Sequence, residues 1–547
     1  MCVVRAAGSQ LHPPADAADQ RTYGDQVDRR RRFVFARGAA QAASVGPRAP
    51  AVPQPTSLRA STARASVRRG SRPRVLLVTE GTYPYAVGGV SSWCHVLLTG
   101  LSGIDWDILP VMAGRKHQRP TVKPPPNANV LHPIDLWSEG HPPRWLRRRR
   151  APEYGSLPVE LLRGLMPWEG DLERLTAALV RCRRSPDSIR PEFRGRDSWP
   201  TFVLELEQLL RESHRDSAPA PIYDAIEAAR LYQALYWVAR TAAVPTPPCD
   251  LIHVTAAGWA GIPAIVHKAL YGTPLLLTEH GVYVREAYLS SVRQAAARPG
   301  HGHISPRLAL GMTRAIFAAA DVIAPVTDAN AEWERGLGAD PAKIRVIPNG
   351  IDPPTSCTAP PGTQKVIAMG RLDPLKDLQT MLLVAREVTS TLPDARFECW
   401  GPPTQGQEMY AEACALMHRQ LGLGDRFRFM GGTSDPRGAI RSGDVLLMTS
   451  ISEAMPMTVL EAMGEARPIV ATSVGGVPGV VRGCGLTAPP GDVHALAAAV
   501  STLLTNPALA ARLGRRGYER VHRRFTLSRC LSAYDDLIHE LAGTVAA

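Results

Sequence analysis

Val75-Leu76-Leu77-Val78 is a short apolar run with β-branched ends, and together with the loop and helix after it this run constrains the fold more than anything else in the sequence. A polar loop, residues 79–89, ends in paired glycines; then Val90, Trp93, Val96, Leu97 and Leu101 recur at helical spacing. A continuous apolar run of this length reads as a strand buried on both faces, as in a parallel sheet covered by helices. Strand, glycine-ended loop and helix together open a doubly wound α/β domain. Further strands are predicted at 107–111, Leu251–Val254, 274–278, 321–326 and 344–347, with helical stretches between several of them.

Residues 140–235 break this rhythm. They hold the run Arg147 to Arg150, several Trp and Pro, and amphipathic stretches such as 202–211, and read as a largely helical insertion. The Arg run reads as a solvated face. Residues 348–361 contain five Pro with Gly and Asn, the composition of a linker. After it the alternation restarts, with strands predicted at 366–369, Arg396–Trp400, 426–430, 445–449 and Ile469–Thr472. Helices are predicted at 375–389, 408–421, 458–466 and 493–504, then Pro507–Arg524 and 527–541.

The expected organisation is therefore a tail (1–72), an N-terminal domain on the acceptor side (73–347), a linker (348–361), a C-terminal nucleotide-binding domain (362–525) and a closing helix (526–547). Two doubly wound domains joined by a linker face one another across a cleft. Each binds ligand beyond the carboxyl ends of its strands, so the cleft can hold two substrates.

Composition limits the function classes. Of 547 residues, 45% are hydrophobic and 21% charged, which is ordinary for a core-forming chain. No run of ~18 apolar residues encodes a spanning helix. The net charge is +13, but residues 1–72 carry +9 of it, with 13 Arg against 4 Asp. The rest is nearly balanced, so the charge is no nucleic-acid footprint. The tail is rich in Ala, Arg, Pro and Ser, has no signal-peptide core, and reads as disordered. Nine scattered Cys form no C-x-x-C pair, which fits a reducing, cytoplasmic setting rather than a zinc site or disulfide framework.

Four clusters carry candidate chemistry. In Ser452-Glu453-Ala454-Met455-Pro456-Met457-Thr458-Val459-Leu460-Glu461, Pro456 suits a first helical turn. Met457, Thr458 and Val459 would then offer unpaired N–H groups to a phosphate. Glu453 and Glu461 would hold hydroxyls on either side of the anion; the plainer account is a dipole-favoured Glu and a surface Glu. In Gly370-Arg371-Leu372-Asp373-Pro374-Leu375-Lys376, Arg371 and Lys376 follow a strand and could neutralise a diphosphate without metal. Alone they would read as surface cations. Gly88 and Gly89 permit close backbone approach at a helix start, though a lone Gly-Gly is weak evidence. Glu279 and His280 follow the apolar run ending at Leu277 and would face the cleft. Asp105-Trp106-Asp107 leads straight into a strand, and no metal site is expected there.

Taken together, these clusters resemble retaining glycosyltransferases of family four, which have the GT-B fold of two Rossmann-like domains. Glu453-x7-Glu461, Pro468-Ile469-Val470-Ala471-Thr472, Gly475-Gly476-Val477-Pro478, Gly370-Arg371-Leu372 with Lys376, and Pro348-Asn349-Gly350-Ile351-Asp352 carry the likeness. Val78 to Tyr85, Gly88 to Trp93 and Leu277 to Tyr283 narrow it to the PelF-type subgroup, which also suits the helical insertion. Two positions depart from the family pattern: Gly479 where an acidic residue is common, and Ala466 where Gly is common.

The resemblance implies metal-independent transfer of a hexose or N-acetylhexosamine from a UDP-sugar to a growing exopolysaccharide. It implies no cofactor, no nucleic acid, and inner-membrane export or synthase partners at the cytoplasmic face. It assigns Glu461 to the ribose, Glu453 and His280 to the donor sugar, Arg371 and Lys376 to the departing diphosphate, and Gly89 to the phosphates. Two other readings stay open: a non-catalytic nucleotide-sugar-binding subunit of a membrane synthase, and a nucleotide-sugar epimerase.

Overall fold

The computed structural model describes residues 72–86, 88–114, 119–136, 156–166, 171–212, 225–297, 304–404 and 406–543. The basic tail 1–71 and the run Arg147 to Arg150 lie outside them. Two parallel sheets organise the described chain. The first contains β1 (Arg74–Glu80), β2 (Asp105–Met112), β3 (Ala128–Val130), β4 (Ile134–Asp135), β5 (Leu251–Val254), β6 (Leu275–Glu279) and β7 (Val322–Pro325). Its order is β3-β2-β1-β5-β6-β7, with β4 pairing beside β2. The second contains β8 (Lys365–Met369), β9 (Arg396–Trp400), β10 (Phe427–Gly431), β11 (Val445–Met448), β12 (Ile469–Thr472) and β13 (Gly485–Ala488), in the order β10-β9-β8-β11-β12-β13. The order reverses between β1 and β5 in one sheet and between β8 and β11 in the other. Ligand crevices open at such switch points, beyond the carboxyl ends of the strands. The doubly wound expectation is met twice.

The strands are apolar because helices cover both faces. Val75, Leu76, Leu77 and Val78 alternate between two cores: Leu76 and Val78 meet the helical insertion, Val75 and Leu77 the opposite layer. The described part of the insertion is helical, with five helices among the described residues running from Leu157–Leu165 to Ala225–Ala242. The opposite layer is built from the helix Gly89–Gly100 and the C-terminal helix Leu527–Gly543, whose Tyr534, Leu537, Ile538 and Leu541 are buried there.

One prediction differs from the structure, and three short strands were not foreseen. Residues 344–347 form no strand. Ile344 makes a lone bridge to Ile323, and Arg345 and Ile347 donate to Ile323 and Pro325 at 2.9 and 3.0 Å. Pro348 then has no N–H to extend the ladder. The short edge strands β3 and β4, and β13 with its sequence Gly-Leu-Thr-Ala, had no apolar run long enough to announce them. Within residues 348–361, Ile351 N–H donates to Phe525 O at 3.0 Å, and Leu527 N–H returns to Ile351 O at 2.6 Å. Among the described residues no single helix is long and apolar enough to cross a membrane.

Candidate active site

Beyond β8 the chain passes Gly370-Arg371 and makes one 3-10 turn, Pro374–Lys376, before the helix Leu378–Thr391. Asp373 caps the turn, accepting from Leu375 N–H at 2.9 Å, and Asp377 caps the helix, accepting from Thr380 N–H at 3.3 Å. The loop after β11 is fastened to this turn. Thr449 Oγ1 donates to the carbonyls of Lys376 and Asp377 at 2.9 and 3.0 Å, and Ile451 N–H donates to Leu375 O at 2.8 Å. From the far side Thr472 Oγ1 donates to Ser450 O at 2.6 Å. Two loops distant in sequence are thereby held side by side, and the Lys376 ammonium lies on Glu453 Oε1. Ser450 Oγ donates to the same carboxylate oxygen at 2.8 Å. Arg371 is exposed and shares with Lys376, Thr449 and Ser450 a cavity of about 20 Å³.

The helix Met457–Gly464 begins one residue before the predicted range, with Pro456 as its N-cap rather than inside its first turn. Val459 N–H already donates to Pro456 O at 3.1 Å, so it is not free for an anion. The prediction of three open N–H groups is thus corrected to the first two, Met457 and Thr458, whose amides precede the first intrahelical bond. Met457 and Glu461 line a different cavity, of about 230 Å³, with Arg437, Asp352 and Gly350 on their own side and Trp93 from the opposing helix. Burial pushes the Glu461 carboxyl above the usual range, and the Arg437 charge partly offsets this.

A second cavity of about 230 Å³ opens beyond β1 and β6. Glu80 and Glu279 end those strands, and Tyr283 and Glu286 start the helix Tyr283–Ala297. Glu80 accepts from Ala260 N–H and Tyr283 Oη–H, both at 3.1 Å, yet burial lifts its pKa to about 7. Burial lifts Glu279 to about 8, and its Oε1 accepts from Tyr283 N–H at 3.1 Å. His280 packs edge-on against Trp93, ring centroids 4.4 Å apart, and burial lowers its pKa to about 3, so it is neutral near pH 7. Gly88 and Gly89 stand at the start of the helix Gly89–Gly100; a Cβ on either would meet no atom within 4 Å, and Gly88 is extended.

The predicted residues therefore fall into three neighbouring recesses: Arg371 and Lys376 with Glu453 at the mouth of the second sheet, Met457 and Glu461 beside the linker, and His280 at the mouth of the first sheet. The sequence reading missed what joins them. Arg285 reaches across to donate to Glu453 O at 3.4 Å, and Glu286 lies within electrostatic range of Glu453, Asp373 and Lys376. Glu80 and Tyr283 were visible only as parts of longer motifs, and Arg285 and Glu286 carry no local signature. Asp105 lies 3.8 Å from Arg72, and Asp107 pairs with Arg74 at 3.2 Å and accepts from Asn129 at 2.9 Å.

Two doubly wound sheets with charged loops at their opposed carboxyl ends define the GT-B class of fold. The chain is similar to Anabaena HepE solved with UDP and glucose (TM-score 0.53, 15% identity, covering 85% of this chain and 99% of that one). It is likewise similar to sucrose-phosphate synthase of Thermosynechococcus elongatus (TM-score 0.56, 19% identity, 86% and 100% covered). Both likenesses are of fold alone. Residues 73–342 match a family described as a domain of unknown function, DUF3492, and residues 363–506 match one described as glycosyl transferases group 1. The D-inositol 3-phosphate glycosyltransferase of Kineococcus radiotolerans is 28% identical over 260 residues, 42% of this chain and 60% of that protein. A second enzyme of that name, from Catenulispora acidiphila, is 29% identical over 313 residues, 52% of this chain and 70% of that protein. The chain thus spans 60% of the length of the first of these relatives. Its N-terminal half thus carries a DUF3492 domain and its C-terminal half a glycosyl transferases group 1 domain, on a GT-B fold.

Proposed function

We propose that the protein transfers a hexose or N-acetylhexosamine from a UDP-sugar to a growing exopolysaccharide, with retention of anomeric configuration and without metal. The observation that carries the reading is the fastening of the Arg371–Lys376 turn to the Glu453 loop at the carboxyl ends of β8 and β11. A fold neighbour, HepE, was solved with UDP, which supports a UDP-sugar as donor. In this reading Arg371, Lys376 and the amides of Met457 and Thr458 receive the diphosphate, Glu461 the ribose hydroxyls, and Glu453 and His280 the sugar. Among the described residues nothing lies within 4 Å of a Cβ on Gly88 or Gly89 at this helix start, which suits phosphate oxygens approaching the backbone.

Bond cleavage builds positive charge on the sugar ring and negative charge on the leaving diphosphate. Cations and helix amides already in place at that charge lower the barrier, because they need no reorganisation during the step. Glu453, paired with Lys376, would in this reading stabilise the ring charge. Closure of the two domains would exclude water and disfavour donor hydrolysis.

The exopolysaccharide acceptor, with inner-membrane partners and a cytoplasmic site of action, rests on the PelF-type motifs of the N-terminal half and its helical insertion. The test is UDP release across a panel of UDP-hexoses and UDP-N-acetylhexosamines with EDTA present. Selective release with one donor, lost in Glu453→Ala while UDP still binds, is the expected result. Tight UDP binding with no release from any donor would favour a binding subunit. Release of an epimerised nucleotide-sugar without acceptor would favour an epimerase.

A further inference from the structure

Arg285 is the third residue of the helix Tyr283–Ala297, and the start of that helix is anchored to the first sheet. Tyr283 N–H donates to Glu279 Oε1 and its hydroxyl to Glu80 Oε1, each at 3.1 Å, which ties the helix start to the ends of β6 and β1. From there the Arg285 guanidinium leaves its own half of the molecule. Nη2 donates to Glu453 O at 3.4 Å, and Nη1 lies 3.6 Å from where a Cβ on Gly475 would stand. It therefore rests on the loops beyond β11 and β12 at the point where they meet, since Gly476 N–H donates to Ala454 O at 3.1 Å beside it. Among the described residues this is the side chain's one hydrogen bond, and Nε is enclosed without a partner. A partly buried guanidinium with five N–H donors is costly to hold on so few bonds. The choice of acceptor separates its role from charge neutralisation. Arg285 takes the main chain of Glu453 and leaves the carboxylate to Lys376 and Ser450.

We propose that Arg285 is a positioning residue: it latches the first half of the molecule to the main chain of the Glu453 loop, and so sets Glu453 and Lys376 in register with His280 across the cleft. The proposal rests on the transferase reading above and adds to it a residue that serves the site without touching substrate. In that reading the bond that breaks lies between groups from both halves, His280 from one and Glu453 and Lys376 from the other. A small change in how the halves meet then slows cleavage, whether water or an acceptor receives the sugar. A latch onto a carbonyl also leaves the Glu453 carboxylate free for its own work. The attraction of Glu286, Glu453 and Glu279 for the guanidinium keeps the latch cationic against the opposing effect of burial.

The experiment uses the full chain carrying Arg285→Met, which keeps an unbranched stem and removes every donor, or Arg285→Lys, which keeps the charge. UDP release is followed with the donor selected by the panel above, UDP affinity by calorimetry, and molecular size in saturating UDP by X-ray scattering. Arg285→Met is expected to lower kcat by about 10- to 100-fold, the effect of a misplacement on the order of 1 Å. UDP affinity should change little, and the radius of gyration in UDP should exceed that of the wild type. Arg285→Lys should recover part of both losses. Because Gly475 abuts the same carbonyl, Gly475→Ala and Arg285→Met together should lower kcat by less than the product of their separate effects. Wild-type kcat in Arg285→Met overturns the proposal, whatever happens to its melting temperature. A loss that falls on UDP affinity also overturns it, because Arg285 would then be a donor ligand. If the wild type releases no UDP from any donor, the transferase reading fails by itself. Scattering in UDP still decides the latch: equal radii for the wild type and Arg285→Met would overturn it.

Discussion

Lys376 has two partners available to it in turn. In the structure its ammonium rests on Glu453; in the proposed reaction it turns to a diphosphate that gains negative charge as the sugar leaves. An interaction that strengthens toward the transition state acts on kcat rather than KM. Lys376→Ala is therefore expected to lower kcat by about 100- to 1,000-fold, the usual effect of losing one preorganised donor to developing charge, with a smaller change in KM. Steady-state kinetics with the selected donor check this, and a change confined to KM would remove Lys376 from the chemistry. The buried carboxyls make a separate claim about stability. Burial raises Glu80 to about 7, Glu279 to about 8 and Glu334 to about 9, against an ordinary value of 4.5. Glu334, on the helix Asp328–Gly336 near Glu279, has no hydrogen-bond partner among the described residues for either carboxyl oxygen. These groups bind protons more tightly when folded than unfolded. Their contribution is full below the unfolded value and is lost as pH rises through the folded values. Urea unfolding should show stability falling from pH ~5 to ~9, by at most ~1.4 kcal/mol per pH unit for each group in its own window. Glu334→Gln should flatten the upper part of that fall; a wild-type profile flat over this range would contradict the assignment.

The Glu453 loop is positioned by its neighbours along the same sheet. Gly475, just past β12, has φ +51°, and a Cβ there would lie 1.7 Å from Glu453 O. Only glycine combines that backbone with that approach. Gly475→Ala should cost about 1–3 kcal/mol through steric displacement. It should also lower kcat, because the loop that moves is the one carrying Glu453. A variant with wild-type kcat would show that the loop tolerates the shift. How far such elements could be read from the sequence depended on their surroundings. Strands covered on both faces, such as Leu251–Val254 and Ile469–Thr472, are continuous apolar runs, and the sequence located them to the residue. Four-residue β13 and the edge strands β3 and β4 bury too little to leave that pattern. The same limit governs the site. Lys376 and Glu453 sit in the loops that follow β8 and β11, where position suggests a role. Arg285 and Glu286 gain theirs only because a helix start folds against a loop 168 residues further on in the chain, as the Arg285–Glu453 bond records. Pro456 lies one place earlier than its helix-start signal suggests, since a Pro serves at either N-cap or N1 without losing a bond.

At the scale of the molecule the chain crosses between the two sheets twice, once through residues 348–361 and once at Thr526, and the two strands of crossing are bonded at Ile351. After the second crossing the helix Leu527–Gly543 completes the core of the first sheet instead of its own half. Cys530, Tyr534, Leu537, Ile538 and Leu541 are buried there. At ~1.5–3 kcal/mol for each large apolar side chain their burial is worth on the order of 10 kcal/mol, an upper estimate yet comparable to a whole domain's stability. Tyr534 also reaches the site. Its hydroxyl lies 3.0 Å from Thr278 Oγ1, and its ring packs 5.4 Å from Trp93, which in turn lies against His280. Tyr534→Phe, which keeps the ring and removes the hydroxyl, should cost only ~1 kcal/mol. Tyr534→Ala should cost ~3–5 kcal/mol and loosen the Trp93–His280 contact as well. A chain ending at residue 526 is expected to go further. The first sheet loses the cover over Val75 and Leu77, whereas the second keeps its own core. Calorimetry should then resolve two transitions, with the one from the N-terminal half moved well below its position in the full chain and the other near its original temperature. A single unshifted transition would mean that the last helix is an appendage, and that the two halves are coupled by something other than the segment that physically joins them.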